Sequence, residues 1–279
     1  MTVTLFFGIA NVLEKVGTTG SGPGAMILLM GLVNGATWIS WFLAFGDRLP
    51  STAYSLSLAI GGGLLAVGGA ICFFEAIARV TVTIAGTVIA AYPCVTVIGS
   101  YALLDERLTS LQYVGVALIV LGVMGLSLKE GNSSATYTRL GIALAIASFL
   151  AYGLWGVTSK EAIRVVGNDN LMGVYGFNYL IVATAYWWAR HRGRSEHSVR
   201  DLPSKAVLIG ALGLGIGAIG GILLIRALVD GPTSIVIAVS AAYPLPMIIL
   251  ALVFLKERIT YYQIPGLVAI LLGLPLVSL

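Results

Sequence analysis

The tetrapeptide Ala90-Ala91-Tyr92-Pro93 occurs twice in this chain and returns as Ala241-Ala242-Tyr243-Pro244, 151 residues later. The loop that follows also returns at this spacing, because Asp105-Glu106-Arg107-Leu108-Thr109 matches Lys256-Glu257-Arg258-Ile259-Thr260. Further pairs at the same spacing are Glu75 and Arg226, Thr83 and Ser234, Gln112 and Gln263, Gly115 and Gly266, and Gly122 and Gly273. Self-similarity at a fixed period is the signature of a repeated structural unit. The sequence therefore predicts a duplicated unit of about 75 residues.

Both copies of the tetrapeptide place a proline in the middle of an apolar run. Proline removes a backbone hydrogen bond and bends the helix that contains it. Pro93 and Pro244 are therefore predicted hinges, and each is expected to free the carbonyl four residues earlier, at Ile89 and Ser240. Broken helices at matching places in two halves of a chain point to the binding site of a transporter.

The composition places the chain in a membrane. Hydrophobic residues make up 58% of the 279 residues and charged residues 10%, whereas a soluble domain has about 25% charged residues. Apolar runs of about 18 residues or more, long enough to cross a bilayer, recur from end to end. We predict an all-α, multi-pass protein of the cell membrane. The net charge of +4 bears on topology and does not indicate a nucleic-acid partner.

Signals for catalysis and for cofactors are missing from the sequence. Cys72 and Cys94 lie in apolar runs, and His191 and His197 lie in a basic loop without cysteines, so no metal site is expected. The sequence also has no phosphate-binding loop, nucleotide fingerprint or hydrolytic constellation. We therefore expect neither an enzyme nor a bound cofactor, and an ATP-driven pump would need a loop that this sequence does not have.

The hydropathy pattern predicts ten membrane spans. They cover residues 2–20, 25–46, 53–78, 81–103, 110–128, 139–165, 171–189, 205–228, 232–255 and 261–279. The chain divides near residue 135 into a first repeat, 1–134, and a second repeat, 135–279, each with five spans. An odd number of spans turns the second repeat upside down relative to the first, so the fold class predicted is two inverted five-helix repeats.

These features resemble the EamA branch of the drug/metabolite transporter superfamily. The resemblance rests on the two five-helix halves, the Tyr-Pro within a span, the Glu-Arg-(Leu/Ile)-Thr loop, the glutamine three residues later and the glycine-spaced last helix of each half. It covers nearly the whole chain. It implies a central cavity between the halves and movement of small metabolites by alternating access, and it does not indicate one substrate.

Aromatic and amide side chains near the middle of the spans are candidates for lining such a cavity. Trp and Tyr residues also form interfacial belts in membrane proteins, so a lipid-facing or packing role is the alternative. The candidate cavity residues are Asn11, Glu14, Asn34, Trp38, Tyr92, Tyr152, Trp155, Tyr175, Asn178 and Tyr243. Tyr179, in the same span as Tyr175, can also face a cavity.

Glu14 is the acidic residue among these candidates. A short stretch around it resembles the first helix of the small multidrug resistance proteins, in which the glutamate exchanges protons for cations, through Gly8, Ala10, Glu14, Gly17 and Thr18. Against this, Lys15 follows directly, and Ser159 occupies the equivalent place in the second repeat. Two interpretations are open: a proton-coupled glutamate inside the cavity, or a glutamate near the membrane surface.

Two charged residues at equivalent places in the repeats carry opposite signs. Glu75 and Arg226 lie beyond the middle of their spans, and the inversion predicts that they are about 25 Å apart along the membrane normal. Their expected partners are therefore local, Arg79 for Glu75 and Asp230 for Arg226, one helical turn later in each case. These four are candidate gate residues, with simple helix-end ion pairs as the alternative. Lys160, late in its span, is expected to extend to the membrane surface.

The sequence favours a secondary-active exporter of small polar or amphipathic metabolites, such as amino acids, that works as a monomer or homodimer. A proton-coupled antiporter of cationic or drug-like compounds, dependent on Glu14, is one alternative. A membrane protein that binds partners or handles lipids without transport is another. Absolute orientation stays open, because the Lys and Arg residues of the loops place both termini outside and the family resemblance places both in the cytoplasm.

Overall fold

The protein is mostly helical in the part that the computed structural model describes, which is residues 2–50, 52–77, 79–80, 85, 88–127, 138–192, 204–246, 249–250, 261–277 and 279. The α-helices are α1 Thr2–Phe45, α2 Ala53–Ile77, α3 Tyr92–Leu103, α4 Ser110–Ser127, α5 Arg139–Val166, α6 Asn168–Asn178, α7 Thr184–His191, α8 Ser204–Asp230, α9 Thr233–Ala241 and α10 Ile264–Leu276. A π-helical turn, Tyr179–Ala183, joins α6 to α7, and a 3-10 turn, Tyr261–Gln263, precedes α10.

Within the described residues, four helices are long and apolar enough to cross a membrane: α1, α2, α5 and α8. Shorter apolar helices cover Val88–Leu103, Ser110–Leu126, Thr233–Pro246 and Ile264–Leu276. Apolar side chains such as Leu43 in α1, Leu121 in α4 and Ile181 in the π-helical turn are exposed on the outside of the structure, as expected for helices that face lipid. Where the predicted spans fall on described residues, their bounds agree with these helices to within a few residues. The spans predicted at 81–103 and 232–255 extend into ranges outside the described residues.

The first two predicted spans form one helical run, α1, with a sharp break. Gly22 has φ 80° and ψ 162°, and Pro23 follows it. Glycine adopts a positive φ at little cost, and proline suits the start of a helix, where its missing N–H is not needed. We call residues 2–21 the first arm of α1 and residues 23–45 the second arm.

The two arms of α1 run in opposite directions along α8. In the first arm, Gly17 lies against Gly210 and Phe7 lies against Gly220. In the second arm, Met26 lies against Gly210 and Trp38 lies against Gly221. The residue numbers of the first arm fall as those of α8 rise, whereas those of the second arm rise with them, so the chain reverses at Gly22.

Two similar three-helix groups form the core. The first bundle is the first arm of α1 with α8 and α9, and the Thr4 hydroxyl in it donates to the Val239 carbonyl at 3.1 Å. The second bundle is α2, α3 and α5, in which the Ser148 hydroxyl donates to the Gly69 carbonyl at 2.9 Å. Gly69 of α2 packs on residues 151–152 of α5, and Gly220, 151 residues later, packs on residues 6–7 of α1. The two bundles therefore use matching contacts.

Helices α4 and α10 cross in an antiparallel manner at two glycine pairs. A Cβ added to Gly122 would lie 2.6 Å from the Gly266 carbonyl oxygen, and one added to Gly273 would lie 2.7 Å from that of Gly115. The contacts are reciprocal in the sequence repeat, because Gly115 corresponds to Gly266 and Gly122 corresponds to Gly273. Reciprocal contacts of this kind are typical of two units around a two-fold axis.

The repeated Tyr-Pro interrupts a helix at both of its positions. The Ala91 N–H donates to the Val88 carbonyl at 3.3 Å, and the Ala242 N–H donates to the Val239 carbonyl at 3.2 Å. Each bond reaches back three residues rather than the four of an α-helix. The two turns therefore match at the 151-residue spacing of the repeat.

These turns change one expectation about the prolines. Pro93 lies in the first turn of α3 rather than inside a continuous helix. The Ser240 carbonyl, which Pro244 was expected to leave free, accepts the N–H of Tyr243 at 3.3 Å. The tighter turn places the Tyr243 N–H against this carbonyl in place of the N–H that proline does not have, so the carbonyl is not left without a donor.

Candidate substrate-binding cavity

A cavity of about 240 Å³ lies between the first and second bundles. The middle of α8 contributes Leu214, Gly217, Gly221 and Leu224 to its wall, and residues at this spacing share one face of a helix. The cavity therefore lies near the middle of a membrane-crossing helix. Its volume is below the range of about 300–1,000 Å³ that is usual for drug-sized ligands, so it suits a small molecule.

Eight of the ten residues predicted to line a cavity do line this one. They come from both arms of α1, from α5, and from the two interrupted helices at the repeated tetrapeptide, so both halves of the chain contribute. They are Asn11, Glu14, Asn34, Trp38, Tyr92, Tyr152, Trp155 and Tyr243. Substrate contact by these side chains stays a prediction.

The structure places Tyr175 and Asn178 outside the cavity wall. Tyr175 is fully buried behind Trp38, and its hydroxyl lies 2.9 Å from the Ser159 hydroxyl. The Asn178 side-chain amide donates to the Ile60 carbonyl of α2 at 3.4 Å. Both side chains are therefore used to pack α6 against its neighbours.

Trp38 is held rigidly in the wall. Its indole N–H donates to the Ala218 carbonyl at 2.9 Å. One neighbour, Tyr175, stacks on the indole with ring centroids 5.8 Å apart, and another, Tyr179, meets it edge-on at 5.3 Å. A Cβ added to Gly221 would lie 2.7 Å from the indole, so glycine at this position makes room for the ring.

Three aromatic lining residues were not predicted from the sequence. They are Phe7, Phe73 and Phe74. They lie in apolar runs whose pattern does not mark a face toward a cavity. Tyr179, which the sequence suggested beside Tyr175, also lines the cavity. Tyr179 also begins the π-helical turn, and such turns are frequent at functional sites.

Glu14 is the one charged residue among the described residues that line the cavity. Its carboxylate oxygen Oε1 lies 3.2 Å from the position that a Cβ on Gly217 would take. Lys15, the next residue, is exposed. Of the two interpretations that the sequence left open, the structure favours the glutamate within the cavity, and proton exchange by it stays a prediction.

Comparison with a family model decides the class of this protein. The model described as the EamA-like transporter family matches residues 1–128 and 139–279, nearly the whole chain. The chain belongs to this family. The predicted resemblance to the EamA branch of the drug/metabolite transporter superfamily is thereby confirmed. An EamA-like protein is a multi-pass integral membrane protein, and family membership indicates a membrane transporter.

Two further comparisons bear on the fold. An uncharacterized protein of Methanocaldococcus jannaschii is 41% identical over 61 residues, which are 22% of this EamA-like chain and 44% of that protein. The chain thus covers less than half of the length of that relative. A solved crystal structure superposes with a TM-score of 0.79 at 20% identity, over 98% of this chain and 93% of the other. This likeness shows a shared fold.

The EamA-like chain carries an ion-pair cluster around Glu75 at the end of α2. Glu75 is 3% exposed, and its carboxylate accepts hydrogen bonds from both Arg79 and Arg190. The pair with Arg79 was expected. Arg190, at the end of α7, was not predicted as a partner, because nothing in the sequence shows that α7 ends beside α2.

Arg226 has a different partner from the one expected. Its guanidinium lies 3.6 Å from the Asp169 carboxylate and 4.9 Å from the centre of the Trp41 ring. Asp230 was expected as the partner, but the first turn of α6 brings Asp169 beside the end of α8. Trp41 also donates its indole N–H to Asp169 at 2.8 Å.

The two clusters lie far apart, as the sequence predicts. Asp169 and Arg190 lie near opposite ends of the continuous helical segment from α6 to α7. At ~1.5 Å per residue, these two residues are about 30 Å apart. Glu75 and Arg226, which contact them, therefore lie near opposite membrane surfaces. A gating role for Glu75, Arg79, Arg226 and Asp230 stays a prediction.

Proposed function

We propose that this EamA-like protein is a secondary-active transporter that exports small polar or amphipathic metabolites, such as amino acids, by alternating access. The observation that carries the proposal is the cavity near the middle of α8, whose wall comes from two bundles with matching contacts. A site of this kind becomes accessible from either side when two rigid bundles rock about it. We propose a monomer or homodimer as the working form.

We also propose that the chain has ten spans in two inverted repeats, residues 1–134 and 135–279. The reciprocal glycine contacts of α4 and α10 support this arrangement, because an inverted repeat places its axis in the membrane plane and makes equivalent helices antiparallel. The matching turns at Ala91 and Ala242 support it as well. Residues 128–137, which contain the predicted boundary, lie outside the described residues.

Solute flux into proteoliposomes tests the proposed function. Purified protein would be reconstituted and exposed to radiolabelled amino acids, nucleobases, sugars and organic cations, each with and without a pH gradient. We expect saturable flux of at least one solute above that of empty vesicles. No flux of any solute would count against transport and favour the alternative of a membrane protein that binds partners or handles lipids.

Replacing both Pro93 and Pro244 by alanine is expected to slow transport several-fold while leaving insertion intact. The two prolines fix the interrupted helices beside Tyr92 and Tyr243, and alanine would let each helix continue and stiffen. Initial flux rates of variant and parent measure the effect. Pro275→Ala is the control, since Pro275 lies exposed in α10, away from the cavity. A double variant that transports at the parental rate contradicts the hinge assignment.

A second candidate function is proton-coupled antiport of cationic compounds, and the composition of the cavity wall favours it. Nine aromatic residues line the cavity together with the carboxylate of Glu14, and no lysine or arginine is present among the described lining residues. Aromatic faces and a carboxylate both attract cations. The amide oxygen of Asn34 has no hydrogen-bond partner within the described part of the chain, so it can accept an N–H group of a substrate.

Glu14→Gln is expected to lower cation flux driven by a pH gradient at least about a hundredfold, because glutamine cannot release a proton. The measurement is uptake of a labelled organic cation with and without the gradient. Glu161→Gln is the matched control, since Glu161 pairs with Arg164 at 3.1 Å and does not line the cavity. Equal gradient-driven flux in Glu14→Gln and parent protein would rule out this coupling.

A further inference from the structure

Lys160 is buried at one end of α5, where the sequence had suggested a side chain extended to the membrane surface. It is 9% exposed. Its ammonium group donates to the carbonyl oxygens of Leu228, Val229 and Gly231, with distances of 3.2 Å and 3.1 Å to the last two. An ammonium group has three N–H donors, so these three carbonyls satisfy all of them.

The three carbonyls belong to the last turn of α8 and the connection into α9. The last four carbonyls of a helix have no N–H partner within the helix. They also form the negative end of the helix dipole, which a cation stabilises. The Lys160 side chain, on the neighbouring helix α5, therefore caps the C-terminal end of α8.

Glu106 contacts the same connection from the other side. Its carboxylate accepts the backbone N–H groups of Thr233 and Ser234 at 2.8 Å and 3.1 Å, and the Ser234 hydroxyl at 3.1 Å. These N–H groups are in the first turn of α9, which is the positive end of its dipole. The Glu106 carboxylate therefore caps the N-terminal end of α9.

Both contacts join the two bundles. Lys160 lies on α5, and Glu106 lies in the loop after α3, so both come from the second bundle or the loop that leaves it. Residues 228–234, which they bind, belong to the first bundle. Each charge has the sign that its helix end favours, so the pair holds the α8–α9 connection against the opposite side of the cavity.

We propose that Lys160 and Glu106 form a clasp that keeps the transport path closed at this end of the cavity, and that transport requires the clasp to open. The proposal rests on the proposed transport function. The clasp lies beyond the cavity, because α8 lines the cavity through residues 214–224 and meets Lys160 at residues 228–231. Opening it exchanges five contacts with backbone groups and one with a hydroxyl for contacts with water.

Lys160 has an equivalent in the first half of the chain. The interval from Gly8 to Lys15 equals that from Gly153 to Lys160. Lys15 is exposed, and its neighbours Glu14 and Gly17 contact Gly213 and Gly210 of α8. Of the two equivalent lysines, the one in the second half of the chain is therefore buried in this structure and the one in the first half is exposed.

Cysteine accessibility in detergent, without substrate, tests the clasp. In a background with Cys72→Ser and Cys94→Ser, Ile237→Cys reports on the closed end. Ile237 is 0% exposed and lies on α9 between the clasp and the cavity. Leu214→Cys reports on the other end of the cavity wall. We expect Lys160→Met to raise the rate at which a water-soluble maleimide labels residue 237 about tenfold or more, since hydrogen bonds to a charged group are lost, and to lower it at residue 214.

Glu106→Gln tests the clasp independently. It should raise the labelling rate at residue 237 and lower it at residue 214, by smaller factors than Lys160→Met. Lys205→Met and Asp105→Asn are the controls, because both residues are exposed and Asp105 pairs with Arg107 outside the clasp. Opposite changes at the two reporters support a clasp. Faster labelling at both reporters shows a structural role only, and unchanged labelling at both also overturns the proposal. Because no substrate is present, failure of flux in proteoliposomes does not decide this result.

Discussion

Gly266→Ala is expected to destabilise the protein by about 3 kcal/mol, the upper part of the range for overpacked sites. A Cβ at this position would lie 2.7 Å from the Gly122 carbonyl oxygen and 3.0 Å from the Leu126 amide nitrogen. Both atoms belong to the backbone of α4, so no side chain can rotate away to relieve the clash. Close backbone contact through small residues is a principal means by which membrane helices associate.

Thermal unfolding in detergent measures this effect, and the midpoint should fall by ~5–10 °C. The unfolding midpoint of Gly122→Ala, at the reciprocal site, should fall by a similar amount, because the added Cβ would lie 2.6 Å from the Gly266 carbonyl oxygen. Gly68→Ala on α2 is the matched control, since nothing lies within 4 Å of a Cβ there. Alanine favours a helix by up to ~1 kcal/mol over glycine, so the unfolding midpoint of this control should be unchanged or slightly higher. A Gly266→Ala protein as stable as the control would contradict the close crossing of α4 and α10.

Glu75→Gln is the second substitution with a large expected effect, about 3 kcal/mol of lost stability or more. The Glu75 carboxylate is 4% exposed and pairs with both Arg79 and Arg190, whose side chains are only 29% and 27% exposed. Removing the shared carboxylate leaves two partly buried guanidinium groups without their counter-ion, and such uncompensated charge is costly.

The equivalent residue of the second repeat gives the comparison. Arg226 pairs with Asp169 at 3.6 Å, and their side chains are 47% and 26% exposed. Exposed pairs contribute about 0–1 kcal/mol, so Arg226→Gln should lower the unfolding midpoint much less than Glu75→Gln. Equal losses in the two variants, measured by thermal unfolding under the same conditions, would show that burial does not distinguish the two clusters.

Positions along the membrane normal could be predicted from the sequence with few errors. Apolar runs fixed the helix bounds, and a rise of ~1.5 Å per residue converted residue numbers into depth. Glu75 and Arg226 were therefore placed near opposite surfaces, and Asn34, Trp38, Tyr92 and Tyr243 were placed at the level of the cavity. The repeated tetrapeptide marked both interrupted helices, because a proline inside an apolar run has a local effect that does not depend on the rest of the fold.

Only the tertiary structure decided which way each side chain faces and which helices are neighbours. Asn178 and Tyr179 are adjacent and lie at similar depth, yet Tyr179 lines the cavity and Asn178 donates to the Ile60 carbonyl of α2. Arg226 pairs with Asp169 rather than Asp230, and Lys160 binds the end of α8 rather than extending to the surface. Depth follows from counting residues along one helix, whereas rotation about the helix axis is set by contacts between residues far apart in the chain. In a helix that is apolar all round, hydropathy does not mark the inner face.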